Sequence, residues 1–220
     1  MKFLLAQINP VVGDLEGNAK KILNIASKAS SISADFVLTP ELSLWGYPAN
    51  DLLFKKNLIK NQYQILDQLA LDINKKYGNL SISIGIAEKV NDSFFPNLYN
   101  SIALVEGGEW KIIARKIILP TYEVFDEKRY FRSEERVSVL IKKIKNKTWR
   151  IGFTICEDLW VNKDIEGRRI HRKNPIIDLK KKKVDILVNL SASPYTLKKL
   201  ELRFKAVSYT HLTLPTTVRV

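Results

Sequence analysis

Residues 150–160, Arg-Ile-Gly-Phe-Thr-Ile-Cys-Glu-Asp-Leu-Trp, constrain this chain more than any other stretch. Ile151, Phe153 and Ile155 alternate with Gly152 and Thr154, the period of two expected of a half-buried strand. The run stops at Cys156, the only cysteine among 220 residues. A thiol at the carboxyl end of a strand, where the chain turns, occupies the position from which α/β enzymes present a nucleophile. Taken alone, it reads first as an inert core thiol, because free cysteine is among the most buried residue types. Two further stretches, around Glu41 and Lys116, change that balance.

Strand patterns fall at residues 2–8, 35–39, 80–87, 100–105, 110–115, 136–141, 148–155 and 184–190. In the third, Ile82, Ile84 and Ile86 alternate with Ser81, Ser83 and Gly85. Helical spacing joins Ile22, Ile25, Ala26 and Ala29, with Asn18 placed to cap that helix. Leu58 to Tyr77 reads as a long amphipathic helix with Ile65, Leu69 and Ile73 on one side. A basic segment over 168–182 and residues 198–206 also read as helical. Glu106-Gly107-Gly108-Glu109 predicts a hairpin turn. Interleaved strands and helices together with a hairpin predict an α/β fold with a mixed sheet, or two sheets, and helices outside.

The length suits one domain. A single cysteine excludes an internal disulfide framework, so a reducing, cytoplasmic setting is the expectation. Gln7, Asn9 and Pro10 cut the first apolar run too short for a signal peptide. No apolar stretch approaches the roughly 20 residues of a transmembrane helix, so no membrane partner is expected. The net charge of +13, from 36 Lys and Arg against 23 Asp and Glu, raises nucleic acid as a partner. The excess is concentrated at 142–147, 168–173 and 180–183 without a recognition motif. These runs read as solvated turns and helix faces, and no nucleic-acid partner is expected.

A thiol attacks well only as thiolate, so it needs a base. His171 lies in a basic cluster and His211 in a polar context near the C-terminus, and neither sits at a strand end, which makes a Cys–His pair the weaker reading. A carboxylate in a dry pocket is the alternative, and Glu41, just past a strand in the bulky loop Pro40-Glu41-Leu42, fits it. Lys116 also follows a strand, where a fixed positive charge could face an anionic intermediate. Alone, Glu41 reads as a surface acid and Lys116 as a snorkelling lysine.

Pro40-Glu41, Lys116-Ile117-Ile118-Leu119-Pro120 and Cys156-Glu157-Asp158 together resemble the nitrilase, or carbon–nitrogen hydrolase, superfamily. The resemblance implies an αββα sandwich, Glu41 as general base, Lys116 as stabiliser of the intermediate and Cys156 as nucleophile. The stretches 6–14, 46–53, 119–131 and 189–195 are similar, within that superfamily, to the glutaminase domains of glutamine-dependent NAD(+) synthetases. That likeness covers about residues 2 to 206. It implies glutamine as substrate, with binding roles for Tyr122, Glu127, Glu157 and Ser193. A carboxylate can hold an α-ammonium and a hydroxyl can orient a polar substrate. Lys199 could pair with the substrate carboxylate or be an exposed helix lysine, and Arg203 is similarly open. For Glu127 a second role, fixing the base and lysine, stays open. The resemblance further implies a homo-oligomer, and no metal or cofactor for the amide-hydrolysing domain. ATP and Mg are needed only by a synthetase domain, whose pyrophosphate-gripping Ser-Gly-Gly-x-Asp-Ser loop does not occur in this sequence.

Two other readings remain open at this point: a free-standing nitrilase-like amidase for another amide or carbamoyl compound, and a basic nucleic-acid-binding domain. Residues 1–206 are expected to form the hydrolase domain. Residues 207–220, with four threonines, a proline and no acid, depart from the family pattern and predict a tail where the helix ends and the fold is cut short.

Overall fold

The structure, a computed structural model, describes residues 1–78, 80–90, 92, 94–122, 125–160, 173–193, 197 and 199–213. The side chains of 199 and 209–213 lie outside that description, as do His171 and most of the 168–173 basic run.

Two sheets stack face to face with helices on their outer sides. The first holds five strands in the order β1 (Phe3–Leu5), β2 (Phe36–Leu38), β3 (Ser81–Lys89), β4 (Leu98–Glu106) and β5 (Glu109–Arg115). Its first three strands are parallel and its last three antiparallel. The second holds β6 (Ser138–Ile144), β7 (Lys147–Ile155) and β8 (Ile186–Leu190), with β6 antiparallel and β8 parallel to β7. This is the αββα sandwich expected from the sequence.

Alternation on each strand assigns its faces. Ile82, Ile84 and Ile86 of β3 join Val37 and Val105 under helices α1 (Leu15–Ser31) and α2 (Lys56–Tyr77). Phe36, Ile102, Leu104 and Ala114 face the other way, onto Ile151, Phe153 and Ile155 of β7 and Val188 and Leu190 of β8. The rings of Phe36 and Phe153 meet there at 6.3 Å between centroids. On the outer face of β7, Gly152 leaves room for α3 (Pro175–Lys181): a Cβ there would stand 2.9 Å from a Leu179 methyl. α4 (Lys199–Thr213) packs beside α3.

Three local expectations are corrected. Asn18 does not cap α1; Asp14 does, its carboxylate accepting the Gly17 N–H at 2.9 Å. Asn18 is buried inside the helix, where it accepts the Val11 N–H and donates to the carbonyls of Val11 and Leu44. The basic helix is shorter than 168–182, beginning at Pro175 because Asn174 caps it by accepting the Ile177 N–H. α4 runs on past Ala206 to Thr213, through residues whose threonines predicted a stop; threonine is only mildly unfavourable to a helix, and Pro215 lies beyond that end. The lysines at 180–183 are exposed, as expected of a solvated turn. No helix among the described residues is long and apolar enough to cross a membrane.

Candidate active site

Strand ends from both sheets meet at one place. β2 runs into the segment 39–45, which lies flat on β3. Thr39 Oγ1 donates to the Ser83 carbonyl at 2.8 Å, the Gly85 N–H donates to Ser43 Oγ at 3.0 Å, and the Leu44 N–H donates to the Gly85 carbonyl at 3.1 Å. Gly85 is required by this approach, since a Cβ would stand 2.2 Å from Leu42 N. The large side chains of the loop are its anchors. Leu42, Leu44 and Trp45 are buried, and Trp45 Nε1 donates to Gln62 Oε1 of α2 at 2.5 Å. Glu41 is thereby held rigidly, followed by Leu42 in the left-handed region at φ +45°.

Lys116 directly follows β5, its N–H donating to the Asn100 carbonyl of β4 at 2.8 Å. Its side chain is wholly buried, and Nζ donates to Glu41 Oε1 at 2.6 Å and Glu127 Oε1 at 2.7 Å. Glu127 opens a 3-10 turn (Glu127–Arg129) and also accepts the Tyr47 hydroxyl at 2.8 Å. Asn100 Nδ2 donates to the same Glu41 oxygen at 2.8 Å.

Cys156 directly follows β7 and begins a 3-10 turn (Cys156–Leu159) with φ +43°, a conformation rare for a residue with a side chain. Asp158, fully buried, holds the turn. It accepts the Ile155 N–H at 2.9 Å and, across the sheets, the N–H groups of Ile117 and Ile118 at 3.1 and 2.7 Å. The segment after β8 closes the ring: the Ala192 N–H donates to Glu41 Oε2 at 3.2 Å, and the Ser191 side chain lies near enough to the Cys156 thiol to favour its ionisation.

Burial dominates the electrostatics. It pushes the Cys156 thiol well up, Glu41 and Glu127 push the same way, and Lys116 and Ser191 pull it back. Burial opposes the charge on Lys116, but the carboxylates of Glu41 and Glu127 overcome it and hold the ammonium protonated. Burial raises Glu127 to about 7 against the pull of Lys116, with Glu41 adding to the rise. Burial likewise raises Asp158 to about 6, moderated by its three backbone N–H bonds. A thiol that does not ionise by itself needs a carboxylate to take its proton at the moment of reaction.

Above this cluster lies a cavity of about 540 Å³, walled by Glu41, Tyr47, Phe125, Ser191, Ser193 and Arg203 among others. Its size suits a small polar molecule. The structure brings Glu41, Lys116, Glu127 and Cys156 together, and sets Ser193 on the cavity wall. Glu127 is turned into the cluster toward Lys116. The Tyr122 hydroxyl donates to Glu157 Oε2 at 2.9 Å, with Glu157 buried. The Lys199 side chain lies outside the described residues, as do His171 and the side chain of His211. Tyr47, Asn100, Asp158 and Ser191 were not singled out from the sequence. Asn100 carried one signal: an asparagine between Leu98 and Ile102 on the same side of a strand is out of place.

The family description for carbon–nitrogen hydrolases matches residues 5–206. The chain belongs to the carbon–nitrogen hydrolase family. Among curated relatives of this hydrolase, the glutamine-dependent NAD(+) synthetase of Synechocystis sp. is 39% identical over 211 residues, covering 93% of this chain and 36% of the relative. That of Thermotoga maritima is 35% identical over 217 residues, covering 95% and 34%. The hydrolase thus spans about a third of the length of the curated relatives it matches. Among solved structures, the glutamine-dependent NAD+ synthetase of Acinetobacter baumannii, in complex with ADP, superposes with a TM-score of 0.77 at 31% identity, over 94% of this chain and 35% of that one. An amidase from Nesterenkonia sp. shares the fold at a TM-score of 0.67 and 18% identity, over 91% of this chain and 68% of that one.

Proposed function

We propose that this carbon–nitrogen hydrolase cleaves the side-chain amide of glutamine to glutamate and ammonia, and that it is the ammonia-supplying part of a glutamine-dependent NAD(+) synthetase. The observation that carries the chemistry is the buried Lys116 ammonium held between the Glu41 and Glu127 carboxylates beside Cys156. The choice of glutamine rests on the relatives, which are named for its use.

Each atom of the cluster has a task in this reading. Glu41 takes the Cys156 proton as Sγ bonds to the amide carbon, and the carbonyl electrons move onto oxygen. Lys116 faces that oxyanion with a charge already in place, so little reorganisation is needed. Glu41 returns the proton to nitrogen, the C–N bond breaks, and ammonia leaves a thioester on Cys156. Water then attacks the thioester while Glu41 takes its proton. Sγ leaves with that proton and glutamate is released. Glu127, bonded to Lys116 and Tyr47, holds the ammonium in position. Ser193, Glu157 with Tyr122, and Lys199 bind the amino-acid end of the substrate. None of these steps draws on a metal or nucleotide, so the reaction is expected to be indifferent to EDTA and ATP. In the full synthetase the partner is the ATP-using domain that consumes the ammonia.

The test is ammonia release by the purified chain from glutamine, asparagine and simple aliphatic amides, with Cys156→Ala as control. Glutamine hydrolysis that disappears in the alanine variant is expected. Cys156-dependent activity confined to other amides would replace glutamine with the free-standing amidase reading. Undiminished glutamine hydrolysis by Cys156→Ala would remove the thiol mechanism.

A further inference from the structure

We infer that Asn100 is a positioning residue that fixes which oxygen of Glu41 takes the proton from Cys156. The inference rests on the reading of Glu41 as the base. Asn100 lies on β4, opposite Ala87 of β3, with its side chain 1% exposed. It shares the inter-sheet face with Ile102 and Leu104, where a leucine-like side chain would be the ordinary occupant. Its amide instead donates from Nδ2 to Glu41 Oε1 at 2.8 Å, and its own carbonyl accepts the Lys116 N–H at 2.8 Å. One residue therefore aligns both members of the pair.

The two Glu41 oxygens are made unequal by these contacts. Oε1 accepts from both Asn100 Nδ2 and Lys116 Nζ. Among the described residues, Oε2 holds only the Ala192 N–H at 3.2 Å, on the segment whose Ser191 lines the cavity. Oε1 is thus saturated, and Oε2 is left to receive a proton: the Cys156 S–H breaks, the O–H forms on Oε2, and a thiolate remains. Without Asn100 the carboxylate is tethered at Oε1 by Lys116 alone and can rotate about that contact.

The far side of the amide supports the same reading. Among the described residues, Asn100 Oδ1 has no hydrogen-bond partner. A buried acceptor left unpaired is unfavourable, and a leucine of similar size would avoid it. The contact the side-chain amide does make is the charge-assisted donation to Glu41. Turning the amide over would set Oδ1 against a carboxylate oxygen, so the donor must be the group that faces Glu41.

The groups that face Glu41 are Lys116, Glu127, Tyr47 and Cys156. Asn100→Asp is nearly isosteric but adds another negative charge to this set, which disfavours the thiolate. Asn100→Leu removes the donor and the unpaired acceptor together. The readout is the rate at which iodoacetamide alkylates Cys156 between pH 6 and 10, followed by mass spectrometry beside thermal melting of each variant. Asn100→Asp is expected to move the alkylation profile to higher pH by about one unit. Asn100→Leu is expected to lower the alkylation rate at neutral pH by about tenfold in a chain that is still folded at the assay temperature. A merely structural residue gives the opposite pairing for leucine, lost stability with normal alkylation. Normal profiles in both variants would overturn the inference. If Asn100→Asp does not fold, normal alkylation of Asn100→Leu overturns it alone. Alkylation that is unchanged in Glu41→Gln would overturn it together with the base role of Glu41. Alkylation needs no glutamine, so a chain that shows these shifts but releases no ammonia from glutamine fails the substrate reading and keeps this one.

Discussion

Asp158 accepts the Ile118 N–H at 2.7 Å and so binds the segment after Lys116 to the turn that begins at Cys156. The bond crosses from one sheet to the other, with the Ile117 and Ile155 N–H groups on the same carboxylate. Only a carboxylate offers acceptors on both sides. In Asp158→Asn one amide donor faces a backbone donor whichever way the group is turned, at a cost of about 1–3 kcal/mol. The melting temperature is expected to fall by several degrees. On the proposed function, glutamine turnover should fall further than that loss explains, because Lys116 and Cys156 lose their common tie. Thermal melting together with kcat measured well below the melting range checks both.

Among the described residues, Lys116 is the sole cation bonded to the Glu41 and Glu127 carboxylates. Lys116→Met leaves two buried acids without it, which costs about 3–5 kcal/mol, and removes the charge proposed to meet the oxyanion, for an expected loss of about a hundredfold or more in kcat. The double variant Lys116→Met, Glu127→Gln should recover much of the stability and none of the activity. Recovery of both in the double variant would mean that the lysine serves folding alone.

Glu127 gives the stability of the molecule a pH dependence with a definite sign. Burial raises its folded value from an ordinary 4.5 to about 7. The folded state therefore binds the proton more tightly than the unfolded chain, so this contribution is full below about pH 4.5 and is lost as pH rises to 7. Between pH 5 and 8 wild type should lose melting temperature relative to Glu127→Gln, by an amount equivalent to a few kcal/mol at most. Parallel melting curves for the two proteins across that range would contradict the assignment.

Gly85 lies beneath the loop that carries Glu41, with Leu42 N 2.2 Å from where a Cβ would be. Gly85→Ala must push the loop off β3, at about 1–3 kcal/mol for the overpacking. The expected outcome is a chain that still folds, with kcat reduced far more than KM is raised, since the displaced residue is the proposed base and the cavity wall changes less. Steady-state kinetics with circular dichroism distinguishes this from general unfolding.

Much of this site was legible because strand ends are legible. The alternation of Ile151, Phe153 and Ile155 announced where β7 would stop, and Cys156 stood at that stop. Glu41 and Lys116 were found the same way, and three such positions matched one family pattern. The interleaved strands, helices and hairpin gave a mixed sheet, or two sheets, with helices outside, and the resemblance to the family narrowed that to an αββα sandwich. What could not be read was the set of groups that act across the chain. Asp158 works on backbone N–H groups some 40 residues away, and Asn100 on a glutamate 59 residues away; no local period records such bonds. Asn18 was misplaced for a related reason. Asn and Asp cap helices about equally well, and only the packing of the Val11 and Leu44 backbone on Asn18 leaves the cap to Asp14.

Glu41 and Lys116 hang from the first sheet, and Cys156 and Ser191 from the second. The distance between proton donor and acceptor is therefore gauged by the thickness of the apolar layer between the sheets, where Phe36 meets Phe153. A hydrogen bond tolerates only a few tenths of an ångström of stretch before it weakens, whereas a packed core swells gradually with heat before it melts. The layer thus behaves as a spacer whose expansion parts base from thiol while every strand is still in place. Warming should silence the chemistry at a temperature where the chain remains fully folded, and any engineering that thins or fattens that spacer will retune the reaction without touching a single reacting group.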